Sequence, residues 1–371
     1  MNLTESEEQI LIKNSAKKFL ELNYSFDKRR QILENKTQQD KKYWKEFADL
    51  GWLGLPYSES YGGFGGNINN LMTLMECQGS ALVLEPYIFN NLVVGKILEK
   101  LRAESSKRFL EDIITGNKIF TFLFSPFGDY RNNITNNLKV RKEGEDFLVT
   151  GRINCVFGIE KFDLMIIPLC LNEKVYLFIT DNNYQGIEIR NNQTIDDMIM
   201  SDIEFNSLKL SNKELVTITS KNNFFKIFNY IYDLATLAMC SQALGIIDIM
   251  YNLTLDYCKT REQFGRKISS FQVIQHRLVD MHIIKEEMRS LNYMGQLSID
   301  KDHDIRSKNI SLNKIFLGTR ANIMAKDCIQ LHGGMGVAKE MSIGHFLSKI
   351  TVFCSLFGST DYHKERYSNY D

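Results

Sequence analysis

Between Asp256 and Asp280 the stretch DYCKTREQFGRKISSFQVIQHRLVD ends one long helical pattern and starts another. Upstream, Leu234, Leu237, Leu244, Ile247, Met250 and Leu255 keep one apolar face over about thirty residues. Phe264-Gly265 breaks the pattern, and a new helical pattern runs from about Ser270 to Ile299. Two long helices joined by so short a corner are constrained to lie antiparallel, each covering the other's apolar stripe. Further helices are expected from about Ile305 to Leu331 and after Lys339. The C-terminal part of the chain therefore reads as an antiparallel bundle.

The rest of the chain changes texture once. The first hundred or so residues read as helical. Thr4 is positioned to cap the first helix, with Glu7 completing a capping box. Ile10, Leu11, Ala16, Phe19 and Leu20 follow helical spacing, and further patterns run from Asp40 to Leu50, Asn69 to Gln78 and Tyr87 to Leu101. Tyr61-Gly62-Gly63-Phe64-Gly65-Gly66 is glycine-rich, but no lysine follows it. It reads as a tight connection between helices, not as a phosphate loop. From Lys118 the runs IFTFLFS, DFLVTGRINCVF, LMIIPLC, VYLFIT and GIEIR are short and rich in β-branched or aromatic residues. They imply a small β barrel or sandwich. The expected domains are residues 1–117 (helical), 118–213 (β) and 214–371 (helical bundle).

Composition excludes several classes of function. The 371 residues carry 45 basic and 45 acidic side chains, so no electrostatic footprint for nucleic acid is present. No apolar run near the length of a membrane span stands out, and the charged, amphipathic N-terminus lacks the apolar core of a secretory signal. A cytoplasmic protein is expected. The seven cysteines are dispersed with no CxxC pair, which argues against a disulfide framework or a zinc site.

At the first corner Arg261, Gln263 and Phe264 offer a guanidinium for phosphate oxygens, an amide for a polar ring edge and an aromatic face for a flat ring. A second corner, Gln330-Leu331-His332-Gly333-Gly334-Met335-Gly336, offers glycine backbone that a diphosphate can approach closely.

The paired stretches TREQFGRKISSFQVIQHRLVDM and QLHGGMGVAKEMSIGHFLSKI resemble the acyl-CoA dehydrogenase family. GWLGLPYSESYGGFGG and MECQGSALVLEPY resemble that family's N-terminal domain, and the helix–β–helix order is similar. The ending FGSTDYHKERY looks like the bacterial members built as large and small subunits, the small subunit of pimeloyl-CoA dehydrogenase among them. The resemblance implies an α+β fold: an N-terminal helical domain, a middle β-barrel-like domain and a C-terminal four-helix bundle. It implies a flavoprotein oxidoreductase acting on CH–CH bonds of acyl-CoA, including bulky or dicarboxylic acyl groups, in an oligomer. Its cofactor would be FAD and its electron acceptor an electron-transferring flavoprotein.

By the same resemblance Arg261, Gln263 and Phe264 would reach the diphosphate and adenosine half of FAD on a neighbouring subunit. Phe271 and Gln272 match another contact position. Gln330, Leu331, His332, Gly333 and Gly334 would approach the same region from the opposite subunit. The β domain departs from the pattern. Phe124-Ser125-Pro126-Phe127-Gly128 stands where the family has Thr/Ser-Glu-Pro, leaving Ser125 and the backbone near Gly128 to meet a flavin or thioester. Cys155-Val156-Phe157 replaces a Trp-Ile-Thr/Ser run, leaving only backbone groups there. Thr360 is a further candidate contact.

The family's reaction needs a carboxylate at the α-carbon. Its two known locations correspond here to Gly358, in Phe357-Gly358-Ser359-Thr360, and to a position near Ala235. Neither is acidic. Asp233 and Asp361 lie nearby, and His345 and His363 are the nearest histidines. Three readings stay open: a subunit whose partner supplies the glutamate, a stand-alone dehydrogenase using Asp233 or Asp361, and a structural or regulatory subunit without turnover.

Overall fold

A computed structural model describes residues 5–35, 41–157, 162–181 and 184–370. Thr4 and Asp40 lie outside them. In chain order come helices α1 (Glu7–Asn23), α2 (Phe26–Glu34), α3 (Lys41–Asp49) and α4 (Ile68–Ser80). A π-helical segment, Ile88–Gly95, runs into α5 (Lys96–Leu101) and is followed by α6 (Ser106–Ile114). Then come β1 (Phe120–Phe122), α7 (Tyr130–Asn136), β2 (Leu138–Glu143), β3 (Asp146–Phe157) and β4 (Leu164–Leu171). They are followed by β5 (Lys174–Thr180), β6 (Ile187–Gln193), β7 (Ile199–Leu210) and β8 (Leu215–Ser220). The remainder is α8 (Lys221–Thr260), β9 (Glu262–Gln263), β10 (Arg266–Lys267), α9 (Gln272–Ser298) and α10 (His303–Phe316). A π-helical turn, Leu317–Ala321, leads to α11 (Asn322–His332), then α12 (Ser342–Ser355) and α13 (Thr360–Ser368). Helices, strands and helices thus follow one another in the order read from the sequence.

The first helix is capped two residues later than expected. Ser6, not Thr4, is the N-cap: its hydroxyl accepts from Gln9 N–H at 3.2 Å, and the Gln9 side chain accepts from Ser6 N–H at 3.0 Å. This reciprocal pair is a capping box with Gln9 in the place given to Glu7.

The chain forms two compact units. One comprises residues 32–68 and 84–235. Its strands make two four-stranded sheets, ordered β1-β4-β5-β8 and β2-β3-β7-β6. Phe147, Val149, Ile153 and Phe205 of one sheet and Met165, Ile167 and Phe178 of the other share a core, as in a sandwich. β1 pairs with β4 in parallel, and the remaining ladders of both sheets are antiparallel. In the helical part of this unit the π segment is pinned to the loop after α3. Tyr57 donates to the Asn91 carbonyl, Tyr87 to that of Trp52 and the Asn91 amide to that of Leu53, each at 2.7 Å.

The other unit comprises residues 1–31, 69–83 and 236–371. Its core is built from the apolar faces of α8, α9, α10, α11 and α12, including Leu237, Leu244, Met288, Ile310, Met324 and Ile350. The helix expected from Ile305 to Leu331 is continuous apart from its π-helical turn. The expectation that no apolar stretch reaches span length is corrected: α8 contains an 18-residue window of mean hydropathy 1.5. Of that window 78% is buried within the protein, which is the signature of a core helix. All seven cysteines are free thiols.

Candidate cofactor-binding site

The first corner is a two-residue β-hairpin. Gln263 pairs with Arg266 and Glu262 with Lys267, so Phe264 and Gly265 form the turn. Their φ angles are +53° and +77°, the signature of a type I′ turn. Glycine adopts this conformation readily, but a phenylalanine there is strained. Phe264 is nevertheless 90% exposed. Its ring therefore stands in solvent, free to meet a flat ligand ring. Arg261 ends the preceding helix, its N–H donating to Tyr257 O at 2.8 Å and its carbonyl accepting from Ile268 N–H at 2.9 Å. Its side chain and those of Gln263 and Gln272 are exposed. Phe271 is half-buried, at right angles to Phe264 (6.2 Å between centroids), with the Arg266 guanidinium 4.1 Å from its ring centre. Lys259, Arg261, Arg266 and Lys267 make the corner basic against the single acid Glu262, which suits an anionic diphosphate.

The second corner stands beside the first in the same chain. His332 stacks on Tyr257, one helical turn before Arg261, with centroids 4.5 Å apart, and Tyr257 donates to the His332 carbonyl at 3.4 Å. The stacking therefore sets the two corners side by side on one chain. His332 and Leu331 are buried, and His332 Nδ1 lies 2.8 Å from the Cys328 carbonyl, so the imidazole positions the corner. Gln330, Gly333 and Gly334 are exposed. Gly333 has φ +60° and ψ −140°, a backbone state open to glycine. A Cβ at Gly333 or Gly334 would meet nothing within 4 Å, so the backbone there is open to a ligand. The exposed cation, amide, aromatic face and open glycines fit the diphosphate–adenosine half of FAD.

In the sheet-containing unit Ser125 is buried, and its oxygen accepts from Phe127 N–H at 3.4 Å, leaving the hydroxyl hydrogen available. Cys155 sits in a β-bulge with φ +60°. Its N–H donates to the Asp202 carboxylate at 2.9 Å, so this donor is already engaged. Phe157 packs on Phe89 and Phe127.

Both positions expected for the glutamate are buried. Gly358 is buried with φ +95°, and a Cβ on it would lie 2.5 Å from Tyr362 Cδ1 and 2.9 Å from His363 Nε2. Its carbonyl and that of Cys354 accept from Lys314 Nζ at 2.7 and 2.8 Å. Burial pulls the Lys314 amine down to about 8. No sequence signal announced this lysine, which comes from α10. Ala235 is fully buried on α8. Asp233 is also fully buried, but two residues away it points about 200° around the helix. Its neighbour Tyr232 stacks on Tyr130 at 4.4 Å. Asp361 is exposed in the first turn of α13 and pairs with Lys364 at 3.2 Å.

The remaining candidates have structural partners. His363 is buried between the Ser311 hydroxyl (3.1 Å) and the Phe357 carbonyl (2.8 Å). Burial, with help from Lys314, holds it well below the usual histidine range, so it is neutral. His345 contacts the Lys339 carbonyl at 3.0 Å and Arg29 at 3.5 Å. Thr360 packs its side chain into the space left by Gly318, where a Cβ would be 2.0 Å from Thr360 Oγ1.

Two family descriptions match the chain: acyl-CoA dehydrogenase, N-terminal domain, over residues 6–117, and acyl-CoA dehydrogenase, C-terminal domain, over residues 225–368. The chain is 23% identical over 376 residues to the caffeyl-CoA reductase–Etf complex subunit CarC of Acetobacterium woodii, covering 96% of each. Its fold is similar to an acyl-CoA dehydrogenase from Geobacillus kaustophilus (TM-score 0.87, 19% identity, 100% of this chain and 99% of that one). It is similar as well to a chain of the ChsE4–ChsE5 complex from Mycobacterium tuberculosis (TM-score 0.85, 18% identity, 100% and 98%). With both of the family's domain signatures in order along the chain, and with its fold, this protein belongs to the acyl-CoA dehydrogenase family of oxidoreductases.

Proposed function

We propose that this chain takes part in FAD-dependent α,β-dehydrogenation of an acyl-CoA thioester as one subunit of a hetero-oligomer whose paired chain supplies the catalytic glutamate. The observation that carries the proposal is the turn at Gly358. Its backbone angle, its neighbours and its Lys314 clamp leave no room for the acid, while the first corner is exposed and basic and Gln330, Gly333 and Gly334 of the second are exposed. The resemblance of the fold to a chain of a two-protein complex supports pairing. The name of the CarC relative supports an electron-transferring flavoprotein as electron acceptor.

In this reading Arg261 neutralises the diphosphate, Phe264 and Gln263 meet the adenosine half, and Gly333-Gly334 let the backbone approach. Phe271, Gln272 and Gln330 border the same corner, with Leu331 and His332 packed behind it. Ser125 and Thr360 are assigned as further contacts, Ser125 having a hydroxyl hydrogen to give to a flavin or thioester oxygen. FAD, when bound, supplies the acceptor for the β-hydride. Removal of the α-proton falls to the paired chain. We also assign domain limits of 1–117, 118–213 and 214–371, and a cytoplasmic location.

Co-expression with an adjacent acyl-CoA dehydrogenase-like gene tests this. A yellow complex whose flavin is bleached by acyl-CoA is expected. Glu→Gln in the paired chain should abolish bleaching, while Asp233→Asn and Asp361→Asn in this chain should not. Loss of bleaching with Asp233→Asn alone would establish an atypical base here. A colourless complex would favour a subunit without turnover, a role that the closed Gly358 turn also fits.

A further inference from the structure

The glycine loop from Tyr61 to Gly66 is left unused by the function above. Its two ends, Tyr61 and Gly65-Gly66, line a cleft of about 700 Å³ together with Tyr57, Ser58 and Ser60 and, from α5 and its C-cap, Lys96, Glu99, Lys100 and Arg102. The loop does not act as a phosphate loop. The N–H groups of Gly62, Gly63, Phe64 and Gly65 donate to the carbonyls of Glu59, Ser58, Gly54 and Tyr57. A Cβ at Gly66 would overlap the Leu55 carbonyl oxygen, 1.8 Å away. The glycines therefore fold the loop tightly, as the sequence suggested. What the sequence concealed is that the missing cations arrive from a different element.

Three cations and one acid line this cleft. The acid is fully engaged. Glu99 Oε2 pairs with Lys96 at 2.7 Å, both side chains being about one-seventh exposed, and Oε1 accepts from Ser58 N–H at 3.2 Å. Lys96 also donates to the Pro56 carbonyl. Those contacts fix the floor of the cleft and cancel one positive charge. Lys100 and Arg102 are left without a carboxylate among the described residues. Lys100 rests on the Tyr230 ring, 4.9 Å from its centre, which leaves its N–H donors available. Arg102 is exposed at φ +51°, a left-handed conformation that arginine rarely adopts and that turns the chain at the end of α5. Ser58 and Ser60, whose hydroxyls are hydrogen-bonded at 2.7 Å, leave one hydroxyl hydrogen as a neutral donor in the same cleft.

We propose that this cleft binds a phosphate-bearing dianion, with Arg102 and Lys100 carrying recognition and the Ser58–Ser60 pair completing it. A planar guanidinium fork beside an ammonium suits phosphate oxygens. Two uncompensated charges in a concave site match a dianion, and the balanced charge of the whole chain gives no extended basic tract for a nucleic acid. The anion is either free, as inorganic diphosphate, or part of a coenzyme A moiety.

Calorimetric titration of the full chain, kept saturated with FAD, distinguishes these. Inorganic diphosphate should bind saturably, and Arg102→Ala or Lys100→Ala should weaken it at least tenfold with no change in thermal midpoint. If coenzyme A loses affinity in the Arg102→Ala protein and 3′-dephospho-coenzyme A does not, the anion is the coenzyme's phosphate. If only diphosphate responds, it is a free anion. Absence of diphosphate binding, or equal binding by wild type and both variants, overturns the proposal.

Discussion

Gly358 stands, buried and left-handed, where a catalytic acid would be needed. A left-handed backbone costs about 1–2 kcal/mol for a non-glycine residue, and forcing atoms into a filled site adds roughly 1–3 kcal/mol. Gly358→Glu is therefore expected to destabilise the protein by about 3 kcal/mol and to confer no dehydrogenase activity. Denaturant unfolding and flavin bleaching read the two effects. Arg261→Ala belongs at the same scale. The side chain is exposed, so flavin occupancy should fall while the unfolding midpoint stays put; unchanged occupancy would show that this corner does not touch the diphosphate. The first corner was legible in the sequence because it is local. Phe264-Gly265 makes its own turn, and Arg261 and Gln263 flank it. The closure of Gly358 was not legible, because Lys314 comes from a different helix and no local pattern points to it. The N-cap shows the same limit. Thr4-Glu7 and Ser6-Gln9 both carry a capping-box pattern, and backbone bonding selects the second.

At the scale of elements, α10 and α12 are held to the α13 turn by one buried ammonium. Lys314 satisfies the carbonyls of Cys354 and Gly358, of which Cys354 belongs to the last turn of α12, where carbonyls lack helical partners. Lys314→Ala should leave both unsatisfied and cost on the order of 3 kcal/mol, read by unfolding with far-ultraviolet circular dichroism. The strands were legible from their alternation and turn residues. Their closure into two sheets was not, since a barrel and a sandwich share the same period. The pairing of the two corners was equally hidden. Both corners carry a motif, but nothing in either one says that Tyr257 stacks on His332, and that stacking brings together stretches far apart in sequence.

At the scale of the whole molecule, pH dependence follows from His363. Its folded pKa lies well below the unfolded value of about 6.5. Between those values the unfolded chain binds a proton that the folded protein refuses. The contribution is thus fully present above about pH 6.5 and is lost as pH falls toward the folded value. Glu76 works in the opposite sense. Burial raises it to about 6, against the attraction of Arg289 at 3.5 Å, so its effect favours folding as pH falls from about 6 to 4.5. His363→Gln should flatten the acid limb of the stability profile, and Glu76→Gln should steepen it; denaturant midpoints across that range read both. Family membership and architecture were legible because two long motifs and one change of texture span the chain. The division of catalytic labour rests on what Gly358 and Ala235 lack. The most direct test of that division is anaerobic titration of the isolated, FAD-reconstituted chain with acyl-CoA. The oxidised-flavin spectrum should stay unchanged until the paired chain is added, and complete bleaching by the lone chain would contradict this division.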